Sequence, residues 1–312
     1  MKKLLAFILS ITMVITGVAA LTSCDFSDED FADDNENENT VKYVAIDATD
    51  LIAEDFGIAV KKGNTELLNM INQVVEAWVT DGTMTKYVDY YDAIANGKTP
   101  NADGLKTSWD FGNATETITV YTESGFAPFE FISNNQIIGV DIAIMSEVAE
   151  KNGMKIEVKD VAFDTITTCV KNAEGYAVGA AGLTINDERK AEVDFSAIYY
   201  SSTLVVVSAE GKSIKSVKDL SGLKVGVQEG TSGDLIISDA KGEGFTFVSG
   251  EDAEGNEITT TVKVDANTEI KQYKQYDAVI TAVNRVSIKV EPGEFVAIIG
   301  TSGSGKSTFL QI

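Results

Sequence analysis

Between residues 118 and 240 short apolar runs take turns with amphipathic ones, and that alternation restricts the chain more than any other feature. Residues 118–121, 154–158, 177–181, 199–207 and 223–227 read as strands. Residues 142–151, 163–171, 217–220 and 234–240 read as helices. Strands alternating with helices predict an α/β fold with parallel sheets covered on both faces. Such sheets place ligands beyond the carboxyl ends of their strands. No segment repeats another, which excludes a solenoid, and residues 242–274 are too polar to assign.

Composition narrows the chemistry. A chain of 312 residues is comfortable for two domains. Its 48 Asp and Glu against 25 Lys and Arg give a net charge of −23, which repels phosphate backbones and argues against nucleic acid as a partner. It has no histidine and only two cysteines, Cys24 and Cys169. A zinc site of Cys and His, a Ser-His-Asp triad and a disulfide framework are thereby nearly excluded. Cys169 reads as a small buried hydrophobe, since no imidazole can activate it.

Residues 1–23 read as a lipoprotein signal peptide. Lys2 and Lys3 precede an apolar stretch over 4–21, and Leu21-Thr-Ser-Cys24 resembles the bacterial lipobox, in which the cysteine is lipidated. Cys24 is therefore the expected lipidation site and membrane anchor; an uncleaved transmembrane helix is the alternative. Residues 24–42 read as an acidic tether, because 25–40 carry eight acids and no base. They lack the spacing of a calcium loop.

Residues 56–60 read as a strand and 61–64 as a turn. Thr65 is the expected cap of a helix whose apolar face is Leu68, Ile71, Val75, Trp78 and Val79. Asp81-Gly82 stops it, and Met84, Tyr87 and Val88 suggest one more turn. Residues 96–116, with Gly, Asn, Asp and Pro, read as a linker.

From Tyr121-Thr-Glu-Ser-Gly-Phe-Ala-Pro-Phe-Glu-Phe131 the chain resembles the family 3 extracellular solute-binding proteins, the amino-acid receptors of ABC importers. The likeness runs through Gly139-Val-Asp-Ile-Ala-Ile-Met145, Ala181-Gly-Leu-Thr-Ile-Asn-Asp-Glu-Arg189, Val193-Asp-Phe-Ser196, Tyr199-Tyr200 and Val225-Gly-Val-Gln-Glu-Gly-Thr-Ser-Gly233. It implies a two-lobe periplasmic-binding-protein-like fold of type II that closes over its ligand about two crossing strands, with 199–207 the first of them. It also implies a solute-binding domain over 117–280, containing lobe one and part of lobe two. The implied partners are an amino acid and the membrane subunits of an ABC importer, on the extracytoplasmic face of a bacterial cell membrane. No cofactor and no enzymatic activity are implied.

The resemblance assigns Arg189 to the ligand's carboxylate, where a guanidinium pairs in bidentate fashion. Gly182 and Thr184 match positions that offer a carbonyl and a hydroxyl or N–H. Thr231 and Ser232 open a helix, whose free N–H groups favour an anion. Phe126 and Phe163 match aromatic walls, and Glu123 a position that is often acidic. Taken singly, each has a plainer reading: the phenylalanines as core, Arg189 as a surface ion pair.

Two segments break the pattern. Residues 43–95 resemble the family's C-terminal part, with 56–64 like the returning crossing strand, yet they precede the rest. They are either the remnant of an upstream paralogue or a circular permutation that completes the lobe. The lobe-two strand that should follow, with an acid for the ligand's ammonium, is missing, so lobe two is expected to be incomplete.

The second break is residues 281–312, which resemble the start of an ABC transporter ATPase. Gly300-Thr-Ser-Gly-Ser-Gly-Lys-Ser307 fits the Walker A pattern, behind an apolar strand over 295–299. In a working site the loop around Gly300, Gly303, Gly305 and Thr308 would cradle phosphates, Lys306 would reach them and Ser307 would hold magnesium. ATP and magnesium matter only if that fragment works, and no acid or signature motif follows it. The expected function is a lipid-anchored amino-acid receptor impaired by rearrangement, in a fused or truncated reading frame. An ATP-binding ATPase fragment fused to receptor remnants, or an enzyme on the receptor fold, are the alternatives.

Overall fold

A computed structural model describes residues 43–46, 53–209, 214–252, 254–275, 279 and 295–301. The signal segment, the tether with Cys24, and Gly303, Gly305, Lys306, Ser307 and Thr308 lie outside the described residues. Among the described residues no helix is long and apolar enough to cross a membrane.

The chain opens with strands β1 (Tyr43–Ile46), β2 (Ala53–Phe56) and β3 (Ala59–Lys61), then helices α1 (Thr65–Asp81) and α2 (Thr83–Ala95). Asn64, not Thr65, caps α1: its side chain accepts the Leu67 N–H at 3.2 Å, one residue ahead of the first helical turn. The buried stripe is Leu67, Ile71, Val74, Val75 and Trp78, while Val79 is 48% exposed and faces away. Gly82, at φ 80°, ends α1 and starts α2, a position where a side chain would be strained. α2 runs 13 residues rather than one turn, because Tyr91 extends the buried face of Met84, Tyr87 and Val88.

Next come β4 (Thr117–Thr122), a three-stranded sheet of β5 (Gly125–Phe126), β6 (Glu130–Ser133) and β7 (Gln136–Ile138), then α3 (Val140–Lys151) and β8 (Lys155–Asp160). A 3-10 turn at Phe163–Thr165 leads into α4 (Ile166–Asn172), followed by β9 (Tyr176–Gly179), α5 (Asp187–Glu192) and β10 (Val193–Phe195). With β3, α1 and α2 these elements form lobe one, whose five-stranded sheet has the order β10-β3-β9-β4-β8. β4 runs parallel to β8 and β9, but β3 is antiparallel to both β9 and β10. The sheet is mixed, not parallel as the alternation implied, because β3 enters from the upstream segment against the local direction. α1 and α2 pack on α3 over one buried core that takes in Ile58, Trp78, Tyr87, Ile118, Val120, Ile144 and Met145.

Lobe two contains β11 (Tyr200–Ala209), β12 (Lys224–Gln228), α6 (Ser232–Lys241), β13 (Phe245–Glu251), β14 (Glu257–Val262), β15 (Glu269–Tyr273) and β16 (Phe295–Thr301). Its main sheet has the order β1-β11-β16-β12-β15, with β2 also on β11. β16, from the segment that resembles an ATPase, lies antiparallel to β11 and parallel to β12. Gly300 is paired with Leu204 and Thr301 with Thr203, so the first residues of the Walker A pattern belong to this strand. The polar stretch over 242–274 holds β13, β14 and β15; the β13–β14 hairpin is mostly exposed, which is why it carries no hydrophobic signature.

The chain crosses between the lobes twice, side by side. β2 pairs with β11 with Phe56 opposite Tyr200, then enters β3, while β10 leads into β11. Backbone bonds from Ser196 N to Ile58 O (2.9 Å) and from Tyr199 N to Phe56 O (3.0 Å) tie the two crossings. The apolar run over 56–60 is thus two strands broken at Gly57, where a Cβ would meet Ile185 at 2.8 Å.

Candidate functional site

The crossing strands floor a cleft lined by Glu54, Phe56, Glu123, Phe126, Phe163, Ala181, Gly182, Thr184, Leu204, Gln228, Thr231 and Ser232. Seven of the eight residues proposed from sequence line it. Arg189 stands just behind the wall, and its guanidinium lies 5.4 Å over the Phe163 ring.

Lobe one supplies the aromatic and acidic walls. Phe126 stacks on Phe129 at 5.5 Å and meets the edge of Phe56 at 6.1 Å. Gly182 has φ +54°, and a Cβ there would sit 2.6 Å from the Phe126 ring, so only glycine lets the backbone pass the aromatic wall. Its N–H donates to Asp141 Oδ2 at 3.0 Å, which also accepts the Tyr199 hydroxyl at 2.9 Å. Burial pushes Asp141 up to about 7. Burial, and then the neighbouring Asp141, push Glu130 well above the usual carboxylate range.

Asn186 caps α5 by accepting the Arg189 N–H at 2.8 Å, which fixes where the guanidinium starts. Arg189 Nη1 donates to Thr184 O at 2.8 Å and Nη2 to Gly230 O at 2.9 Å, so one side chain ties both lobes. Burial lowers its pKa to about 10, which leaves it charged at neutral pH. Lobe two brings the start of α6, where Thr231 caps the helix by accepting the Asp234 N–H. The Ser232 hydroxyl donates to Thr184 Oγ1 across the cleft at 3.1 Å.

Glu54 was not legible as a site residue. Its carboxylate is buried and accepts the Thr184 hydroxyl at 2.6 Å. Burial raises its pKa, against the opposing pull of the Thr184 and Ser232 hydroxyls and the Arg189 charge. The signal was the period of two in β2, which puts Glu54 on the same face as Phe56. Cys169 is half-buried, not fully buried as expected. Among the described residues no cluster of Cys, Asp and Glu is placed to hold a metal.

Residues 118–293 match the family model of bacterial extracellular solute-binding proteins, family 3, and residues 283–312 match that of ABC transporters. The arginine-binding extracellular protein ArtP of Bacillus subtilis is 38% identical over 110 residues, 35% of this chain and 43% of that protein. A probable histidine-binding protein of Neisseria gonorrhoeae is 35% identical over 128 residues, 40% of this chain and 47% of that protein. The chain thus spans about half the length of the curated relatives it matches. An ancestral arginine-binding protein bound to arginine aligns with a TM-score of 0.47 at 26% identity, over 60% of this chain and 71% of that one. The matched span is more than half of the sequence, and the chain belongs to the family 3 bacterial extracellular solute-binding proteins.

Proposed function

We propose that the chain is an extracytoplasmic amino-acid receptor of an ABC importer, lipid-anchored through Cys24 and weakened by rearrangement. The observation that carries this reading is the convergence of Glu123, Phe126, Phe163, Gly182, Thr184, Thr231 and Ser232 on one cleft, with Arg189 behind its wall. An α-amino acid is a zwitterion with an apolar or polar tail. Arg189, the two hydroxyls and the start of α6 suit its carboxylate, the phenylalanines suit its tail, and Glu123 suits a positive group. The relatives are named as binding proteins for arginine and histidine, which supports an amino acid and a non-enzymatic role.

The strand that fills lobe two, β16, carries no acid, and Glu54 is held by the Thr184 hydroxyl, so the ligand's ammonium keeps an incomplete set of partners. A buried charge short of its partner costs on the order of 2–5 kcal/mol, so the expected affinity falls from about micromolar to roughly tens of micromolar or millimolar. Calorimetry against the common amino acids tests the reading. The expected outcome is weak, stoichiometric binding that Arg189→Ala reduces by about tenfold or more; binding indifferent to Arg189→Ala removes the proposed site. The anchor is checked by the intact mass of the mature protein, which carries two acyl chains on Cys24 if the reading is right.

A further inference from the structure

Glu54 sits where a ligand's negative end belongs. A carboxylate placed in this cleft would seek the hydroxyls of Thr184 and Ser232 and the charge of Arg189, since no other cation borders that end of the cleft among the described lining residues. Glu54 already engages them: its Oε1 accepts the Thr184 hydroxyl at 2.6 Å, Thr184 Oγ1 in turn accepts the Ser232 hydroxyl at 3.1 Å, and the Arg189 guanidinium, which donates to Thr184 O, acts on it through its charge without an ion pair. Glu54, Thr184 and Ser232 are all buried, so water does not compete for these donors.

The backbone explains why this acid is there. β2 pairs with β11 with Glu54 opposite Ser202, and the Ile185 N–H donates to Asp55 O at 2.8 Å. Those bonds fix the strand, so Glu54 can leave its donors only by a turn of its own side chain. A donor set that holds one carboxylate cannot hold a second at the same atoms, and two carboxylates together in a low-dielectric cleft repel each other.

We infer that Glu54 is a tethered competitor for the ligand's carboxylate, which an incoming amino acid must displace from the Thr184 hydroxyl and its Ser232 partner, beside the charge of Arg189. This rests on the amino-acid receptor reading and adds a residue that sets both affinity and selectivity. While Glu54 holds the donors, the cleft offers two carboxylates, Glu54 and Glu123, and favours a cation that lacks a carboxylate of its own. The favoured chemical class is then an amine or guanidine over the amino acid of the same side chain.

The full-length chain, wild type, Glu54→Ala and Glu54→Gln, is titrated calorimetrically with L-arginine and with agmatine, the same molecule without its carboxylate. If L-arginine gives no heat, the common amino acid with the largest response is paired with its own decarboxylated amine. Glu54→Ala is expected to tighten the amino acid by about tenfold or more. Glu54→Gln, which keeps the shape without the charge, tightens it by less, and the amine gains in neither variant. Should Glu54→Ala fail to fold, Glu54→Gln decides alone. Amino-acid affinity that falls or stays level, or an equal gain by the amine, overturns the proposal and leaves the receptor reading standing. No binding of any amino acid by any of the three proteins defeats the receptor reading, and the proposal with it.

Discussion

Lobe one closes its core with chain that belongs together in space but not in order. β3, α1 and α2 arrive before the linker, β4 through β10 after it, and the two stretches share one continuous core from Ile58 to Tyr199. Lobe two has a smaller core, built on Leu204, Val206, Val225, Val227, Ile236 and Ile237, and its central strand comes from the segment that resembles an ATPase. Both lobes accept chain from elsewhere, at different depths. In lobe one the imported helices bury a whole amphipathic face. In lobe two the imported β16 fills a gap between β11 and β12, where each neighbour would otherwise present unpaired N–H and C=O groups. Packing and pairing record direction and register but not the order in which the chain supplies its pieces.

The largest expected effect is on the borrowed strand. Ending the chain at residue 294 removes β16 and leaves β11 and β12 without the partner between them. Amide exchange then shows β11 and β12 losing protection while β4 and β9 keep theirs. Equal protection in both lobes would mean that lobe two does not depend on the borrowed strand.

The second effect lies in lobe one. Trp78 is 6% exposed and stacks on Tyr87 with ring centroids 4.4 Å apart. Trp78→Ala is expected to cost ~3–5 kcal/mol in denaturant unfolding, with β4 and β9 exchanging faster and β12 hardly changed. A loss under about 1 kcal/mol would show that α1 and α2 decorate lobe one without completing it.

How much of this was legible depended on how local the cause was. The periodicity of α3, the apolar run of β4 and the Gly-Thr-Ser start of α6 are local, and they were readable. β5 is two residues long and β13 and β14 face solvent, so none of them leaves an apolar pattern. Six of the seven cleft residues named from sequence lie within shared motifs in the family's own order; Phe163 lies between two of them. Glu54 could not be named, since its role follows from pairing with β11 almost 150 residues away, which no window of sequence contains. Arg189 was read as a free clamp; the structure has both its amino groups already donating to carbonyls.

The smallest effect separates the lobes by pH. Asp141 and Glu130 are buried carboxyls of lobe one, and burial raises both. Between about 4 and about 7 the folded chain keeps the Asp141 proton that the unfolded chain releases. Its contribution is full below that window, declines as pH rises through it, and is flat above; Glu130 adds in the same direction. Urea unfolding at pH 5 and pH 8 should therefore show lobe one less stable at the higher pH. Asp141→Asn should flatten the difference in part, and an unchanged slope would assign it to other groups.

Arg189 holds Gly230 by its carbonyl, and a carbonyl is the same whatever residue carries it. Unlike the Ser232–Thr184 contact, this tie between the lobes is written in main chain on the lobe-two side, and no side chain there has to match it. At φ +77° residue 230 must remain a glycine, but its neighbours can drift without breaking the tie. That is a tolerant form of joint: its specificity lies in backbone geometry, which variation in the surrounding side chains leaves intact.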